Sequence, residues 1–408
     1  MNVIVQKYGG TSVADSERLR VVAKRVVEAK NTGANVVVVV SAQAGVTNSL
    51  LDKAREISSK AAQREVDMIL ATGEQISIGL LALAIQELGE KAKSFTATQA
   101  GILTDNQFGS ARIADIQTKE IKRALAEGYI VIIAGFQGVT SSGEITTLGR
   151  GGSDITAVAL GVALQAESVE IMTDVDGVFT ADPRIVHDAR KIDFISYAEM
   201  LEMAGSGAKV LHLRSVELAA KHHLVIHLRS SLNLSIGTRI TEEVFTMESS
   251  LVTGIAHERG LARITLHNMA DYHTSTVVVL KTIALARINI KLFTQSYIDD
   301  HNNSFTIVIS NSDFTRAWQI IETIGSGKSE SELTGSRDLA MVSVIGVGMK
   351  AHAGVAAQVV DILTQHQVSL NYISCSEINI SCLIAEKECD KAVIALHRGF
   401  SLAAENND

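Results

Sequence analysis

The chain has 408 residues, 46% hydrophobic and 20% charged, enough apolar material for two or three packed domains and too much for a disordered chain. Its 37 Lys and Arg against 45 Asp and Glu give a net charge of −8, and with 4% aromatics it lacks the basic surface of a nucleic-acid binder. The longest apolar runs, residues 36–40 and 129–136, fall far short of the ~20 residues that span a bilayer, so neither nucleic acid nor membrane is an expected partner.

The chain opens directly on an apolar strand at 3–8, without a signal-peptide layout, and a cytoplasmic protein is expected. An amphipathic helix at 16–32 follows, then a strand of consecutive valines at 36–41 and helical stretches at 48–59 and 64–88. Strands at 92–96, 130–134 and 169–173, with a helix at 154–164, continue the alternation. Apolar strands alternating with helices predict an α/β domain over 1–246, a mostly parallel sheet sandwiched by helices. After Met247, which could serve as an internal start, the rhythm shortens. A strand at 262–267, a helix at 275–286, strands at 289–295 and 304–310 and a helix at 313–324 make one unit. A strand at 341–345, a helix at 355–365, strands at 369–374 and 377–384 and a helix at 387–397 make another. This internal repeat of roughly 75 residues reads as two ferredoxin-like βαββαβ units. The second ends on a helix and lacks a fourth strand, whereas 251–256 lies unassigned before the first. We therefore expect 251–256 to pair into the second unit. The first unit (261–335) is then inserted within the second (247–260 and 336–408), and the Gly-, Ser- and charge-rich stretch 325–338 is the link.

Pro183 is the single proline, so turns must rest on the 30 glycines and on Asn, Asp and Ser. Cys375, Cys382 and Cys389 fit neither a disulfide framework nor metal spacing and read as packing thiols. His222, His223 and His227 read as surface and core residues rather than ligands, and no protein metal site is expected. Trp318 reads as a packing residue.

Three clusters carry chemistry, although P-loop and protein-kinase signatures are missing and Gly346-Val347-Gly348 reads as a tight turn. Lys7-Tyr8-Gly9-Gly10-Thr11-Ser12 puts a lysine, two glycines and small hydroxyl residues between a strand end and a helix start. Ligands of open α/β sheets bind there, and backbone N–H groups near glycines can approach phosphate oxygens. The bland alternative is a simple turn with a solvated lysine. Residues 146–154 (TTLGRGGSD) precede a small-residue helix. Arg150 can clamp a carboxylate, Gly151 and Gly152 clear space, Ser153 offers a donor, and Asp154 caps the helix or positions a lysine. Residues 173–184 (TDVDGVFTADPR) form a polar loop suited to a base and ribose, with Arg184 near phosphates. Its D-x-D-G start lacks the later Glu of a calcium loop.

With residues 41–48 (SAQAGVTN), 72–77 (TGEQIS) and 134–139 (AGFQGV), these clusters resemble, in order and spacing, the aspartate kinases of the amino-acid kinase family. Residues 346–355 (GVGMKAHAGV) and 374–380 (SCSEINI) resemble that family's paired ACT regulatory domains. The resemblance implies ATP-dependent phosphorylation of the side-chain carboxylate of L-aspartate, with magnesium, and lysine or threonine as effectors of an ACT-mediated homo-oligomer. It implies that Lys7, Asp154 and Lys209 serve catalysis, and that Ser41, Thr47, Glu74, Arg150, Gly151, Gly152 and Ser153 bind aspartate. Within that set Glu74 takes the ammonium and Arg150 the α-carboxylate. It places Lys7, Tyr8, Gly9, Gly10, Thr173, Asp174, Phe179, Thr180, Ala181, Asp182, Pro183, Arg184 and Lys209 around the nucleotide. Phe179 stands where the family usually has tyrosine. Asp271, Thr274, Gln295, Ser374, Cys375 and Ser381 correspond to effector positions. Around Asp271–Thr276 the family's usual proline and glycine are missing, Gln295-Ser296 replaces the common Gln-Asn, and a turn needing positive φ at Thr274 would be strained. Other readings are a kinase of another small carboxylate or carbamate, and a non-catalytic amino-acid sensor.

Overall fold

The computed structural model describes residues 2–208, 210–233, 235–242, 251–268, 272–299, 302–325, 332–352 and 354–403. The chain divides into two units, Met1–Phe179, Arg190–Gly205 and Lys209–Ser249 in the first, and Thr180–Ala189, Ser206–Ala208 and Ser250–Asp408 in the second.

The first unit is built on an eight-stranded sheet. Its strands are β1 (Val3–Tyr8), β2 (Asn35–Val40), β3 (Ala92–Phe95), β4 (Ile130–Ala134), β5 (Ser168–Thr173), β6 (Phe194–Ser196), β7 (Ile226–Ser230) and β8 (Thr238–Thr241). They run in the order β6-β8-β7-β5-β1-β2-β4-β3, parallel except where β7 meets β8. Every residue of β4 and all but the first of β2 are buried, as apolar β-branched runs at the centre of a two-faced sheet must be. The helices that position the site are α1 (Ser16–Asn31), α2 (Val46–Ile57), α3 (Gln63–Leu70), α4 (Thr72–Glu87), α5 (Gly152–Leu164) and α6 (Leu213–Lys221). Leu19, Val22 and Val26 of α1 and Ile78, Leu81 and Ile85 of α4 recur at helical spacing and pack with Val36, Val38 and Ile132 into one core. The helix expected at 64–88 is the pair α3 and α4, a 25-residue span apolar enough by length to cross a membrane. Half of its most apolar stretch is buried inside the unit, and it carries the buried carboxylates Asp67 and Glu74.

The second unit is a six-stranded antiparallel sheet of β9 (Gly254–His267), β10 (Ile290–Asp299), β11 (Asn302–Ser310), β12 (Glu332–Ile345), β13 (Leu370–Cys375) and β14 (Asn379–Ala385), in the order β10-β11-β9-β12-β14-β13. Helices α7 (Tyr272–Leu285) and α8 (Phe314–Gly325) lie over a core of Val279, Ile283, Phe305 and Ile321. Helices α9 (Val355–Gln365) and α10 (Cys389–Gly399) lie over a second core containing Val342, Val359, Leu363 and Leu396. Residues 254–258 of β9 pair with 341–345 of β12, and 261–267 pair with 332–339, with bulges between. Thus β9 and β12 each pass through both repeats.

This corrects the reading of 325–338 as a link, because 332–338 is strand. A Cβ at Gly335 would lie 2.6 Å from the Trp318 ring, so the glycine makes room for an aromatic above the sheet. Small residues that serve packing have the same composition as a linker. Thr274, where a turn of positive φ would be strained, lies instead in the first turn of α7 without a positive φ. Asp271 and Met247 lie outside the described residues.

Candidate active site

Strand β1 ends at Tyr8, and the chain turns through Gly9 and Gly10 into a short 3-10 turn before Asp15 caps α1. A Cβ at Gly10 would lie 2.6 Å from the Ala42 carbonyl oxygen, so only glycine permits this approach to the end of β2. The Gly10 carbonyl accepts from the Ala44 N–H at 3.1 Å, which binds the two strand-end loops together. The Lys7 amine reaches the Asp154 carboxylate at 2.6 Å, each side chain 13% exposed. Asp154 stands in the first turn of α5, whose N-cap is Gly151 at φ 71°, so neither Ser153 nor Asp154 caps the helix. Of the two roles left open for Asp154, the geometry is that of a partner to lysine.

The substrate candidates lie on the first turns of helices and in the loops before them. Glu74, on the first turn of α4, is 3% exposed, and its Oε1 accepts from the Ala42 N–H at 3.0 Å. Its Oε2 is buried without a partner among the described residues, and desolvation raises the carboxyl to about 7. A buried oxygen without a donor invites a cationic ligand. Thr47 is half-buried on the first turn of α2, Ser41 is half-buried just after β2, and Ser153 is buried. Arg150 is exposed between Gly149 and Gly151, and no ion pair engages it among the described residues.

Three residues not picked out in the sequence hold this loop. Fully buried Asp67 accepts from the Thr147 N–H at 2.8 Å, the Thr147 hydroxyl at 2.9 Å and the Gly109 N–H at 2.8 Å. Arg214 donates to the Leu148 carbonyl at 2.7 Å. A Cβ at Gly151 would lie 2.3 Å from the His212 Cβ, so the imidazole occupies that space, and burial lowers its pKa. A fully buried carboxylate facing four donors, with the Gln63 amide as the fourth, has no signature in a single sequence. The His212–Gly151 contact joins residues far apart in the chain.

The expected nucleotide residues divide between the two units. The Tyr8 ring is fully buried in the core, and desolvation raises its pKa. Thr180 and Ala181 are buried in the second unit, where the Thr180 hydroxyl lies 3.0 Å from His397 Nε2 and donates to the Leu402 carbonyl at 3.2 Å. Ala181 and Val186 belong to the core under α10, because an apolar residue every few positions turns this stretch inward. Asp182 is held below the usual carboxylate range by Arg184, which hydrogen-bonds it through Nε and Nη2. Pro183 is exposed, as is Asp174, whereas Thr173 and Phe179 are half-buried in the first unit. Lys209 lies outside the described residues.

In the second unit, Thr274, Gln295 and Cys375 are exposed, and the Ser381 hydroxyl pairs with buried Ser343 at 2.8 Å beside Ser374 in the next strand. Cys382 and Cys389 are buried free thiols. Among the described residues no group of three or more His, Cys, Asp or Glu stands together as a metal site.

The model of the amino acid kinase family matches residues 2–230, and that of an ACT domain matches 342–400. Curated relatives include the aspartokinases of Mycolicibacterium smegmatis, 46% identical with 100% of this chain and 98% of the relative covered, and of Bacillus sp. (strain MGA3), 46% identical with 99% and 98% covered. Among solved structures, E. coli aspartokinase III in complex with aspartate and ADP superposes with a TM-score of 0.81 at 27% identity, covering 98% of this chain and 99% of that one. The same enzyme in complex with lysine and aspartate gives 0.78 at 27% identity over the same shares. With the family's fold, its strand-end clusters and full-length similarity all in hand, the chain belongs to the aspartokinases of the amino acid kinase family.

Proposed function

We propose that this chain is an aspartate kinase that transfers the γ-phosphoryl group of ATP to the side-chain carboxylate of L-aspartate, giving 4-phospho-L-aspartate. That product opens the lysine, threonine and methionine routes, and amino-acid feedback would act through the ACT units. We infer a kinase domain over 1–246 and the interleaved ACT domains at 261–335 and at 247–260 with 336–408, assembled through those domains into a homo-oligomer in the cytoplasm.

The observation that carries the reading is the Lys7–Asp154 ion pair beside the Gly9-Gly10 turn at the carboxyl end of β1. Attack of a carboxylate on a polyphosphate brings two anions together, and the nucleophile is already ionised. No general base is needed, so the protein must position the reactants and neutralise charge. Lys7 would meet the phosphates, with Asp154 fixing the ammonium in place, and Lys209 would add a second cation. His212 is close to Gly151, but its depressed pKa leaves it neutral near pH 7 and so no third cation. Glu74 would receive the substrate ammonium and Arg150 the α-carboxylate. Ser41, Thr47 and Ser153 would supply donors, while Gly151 and Gly152 leave room. Thr173, Asp174, Phe179, Asp182, Pro183 and Arg184 are assigned to the nucleotide. Magnesium would supply further neutralisation on the phosphates, and the exposed Asp174 carboxylate fits a role toward it.

Trapping the acyl phosphate with hydroxylamine, in parallel with ADP release, tests the reading. Aspartate should give hydroxamate and ADP together, whereas glutamate, N-acetylglutamate and carbamate should give neither. Turnover with one of those alone would reassign the substrate, and no turnover with any would favour a sensor.

A further inference from the structure

The loop after β7 was not marked by any motif, yet it ties together separate parts of the nucleotide cluster. Ser230 and Ser231 are 2% and 4% exposed. The Ser12 hydroxyl donates to the Ser231 hydroxyl at 2.8 Å across 219 residues of chain, and Ser12 is itself buried. The Ser231 N–H donates to the Thr173 carbonyl at 2.7 Å. Two residues later, Asn233 Nδ2 donates to the Asp176 carboxylate at 2.7 Å. Arg25 of α1 closes the arrangement from behind, donating to the Ser230 carbonyl at 2.7 Å and to the Asn233 carbonyl. One short loop thus grips the Gly9–Ser12 turn, the Thr173–Asp176 loop and the helix that follows the turn.

A surface loop seldom spends two buried serines and a guanidinium on its own backbone, because buried polar groups cost free energy unless each is satisfied. Here the Ser231 and Asn233 bonds lead to the turn and the loop that carry assigned nucleotide residues, and Arg25 holds the loop to the helix after the turn. The strand order explains why. β1, β5 and β7 are consecutive neighbours with parallel registers, so their carboxyl ends lie side by side.

We propose that Ser231, with Ser12 and Arg25, is a positioning residue for ATP that fixes the distance between the phosphate-binding turn and the Thr173–Asp176 loop. It rests on the ATP reading above, but it assigns a role to residues that reading does not use. Without the Ser12–Ser231 bond the turn and the loop separate or slide. Nucleotide affinity then falls while the aspartate pocket, on the β2 side with Glu74 and Arg150, stays as it was.

The test is a double-mutant cycle of Ser231→Ala and Ser12→Ala, with Arg25→Lys as an independent variant, reading KM for ATP, KM for aspartate and the thermal midpoint. Each alanine variant should raise KM for ATP about tenfold, the worth of roughly one buried hydrogen bond, and leave KM for aspartate within about twofold. The double variant should be no worse than either single one, because both remove the same bond. Arg25→Lys keeps the charge but cannot reach both carbonyls at once, and it should show a smaller effect in the same direction. If the midpoint falls while both KM values hold, or if the two alanine effects multiply, the proposal is wrong. If Ser231→Ala does not fold, Arg25→Lys and Ser12→Ala decide by the same two KM values. Saturable ATP turnover by the parent chain separates this failure from failure of the ATP reading itself.

Discussion

Burial pushes the Glu74 carboxyl up to about 7, against an ordinary glutamate near 4.3, since only one of its oxygens has found a donor. The free enzyme therefore protonates Glu74 as pH falls through about 7, and a protonated carboxyl no longer attracts an ammonium. KM for aspartate should rise toward tenfold per pH unit below 7, with KM for ATP nearly flat, and Glu74→Gln should show a high KM without that limb. A flat aspartate profile between pH 5.5 and 8.5 in the parent would remove Glu74 from ammonium recognition. Arg150, proposed above for the α-carboxylate, is exposed and unengaged by any ion pair among the described residues. Arg150→Ala should raise KM for aspartate by about 10- to 100-fold and that for ATP much less. The reverse pattern would move the guanidinium to the phosphates. Lys7→Ala and Asp154→Ala should each lower kcat on the order of 100- to 1000-fold, the scale of one preorganised charge, with the melting midpoint nearly unchanged. Activity within threefold of the parent would discharge either residue.

Among the elements, the first helices of the two ACT repeats bear on control. The first starts α7 at Tyr272, so Thr274 is helical and exposed. The second inserts a 3-10 turn, Val347–Ala351, before α9, and Gly354 sits there at φ −88°, a conformation open to any residue. An effector carboxylate bound by backbone N–H groups needs an open turn, and around helical Thr274 this chain has neither the proline nor the glycine expected there. Feedback through the first repeat should therefore be weak. Titrating lysine and threonine, singly and together, at subsaturating aspartate checks it, and full inhibition below millimolar effector would overturn it. The strand-end clusters were readable because paired glycines beside Lys7 and Arg150 are rare outside such turns. The inward packing of Thr180 and Ala181 was not, since their partners His397 and Leu402 lie more than 200 residues away. Nor was the first half of β12, whose Gly335 serves an aromatic rather than a turn.

For the molecule as a whole, the first unit's sheet was legible from runs such as Val36 to Val40, because apolar β-branched residues without alternation belong to buried parallel strands. Bracing residues such as Asp67 and Ser231 were not, since satisfaction of a buried polar group depends on distant donors. Acid should act unevenly on the two units. In the second, burial lowers the pKa of His257 and His397. Between the ordinary histidine value near 6.5 and those depressed values, the unfolded chain binds more protons than the native one, so stability falls as pH drops. In the first unit, His212 and His227 act in the same sense, but the raised Glu74 opposes them. Trp318, the only tryptophan, lies in the second unit on α8 and reports on it by fluorescence. Its thermal midpoint should drop between pH 7 and 5, and a constant midpoint would contradict this assignment.

The passage of β9 and β12 through both repeats has a consequence for how this half of the chain comes apart. Two ferredoxin-like units joined by a tether would melt as separate blocks, each with its own opening free energy. Here each long strand is hydrogen-bonded within both, so neither repeat can release its share without fraying the other's. Amide hydrogen exchange should therefore show one cooperative block. Protons of residues 261–267 and of 341–345 should exchange with the same free energy and the same denaturant dependence. A single calorimetric transition for the second unit would express the same coupling in heat.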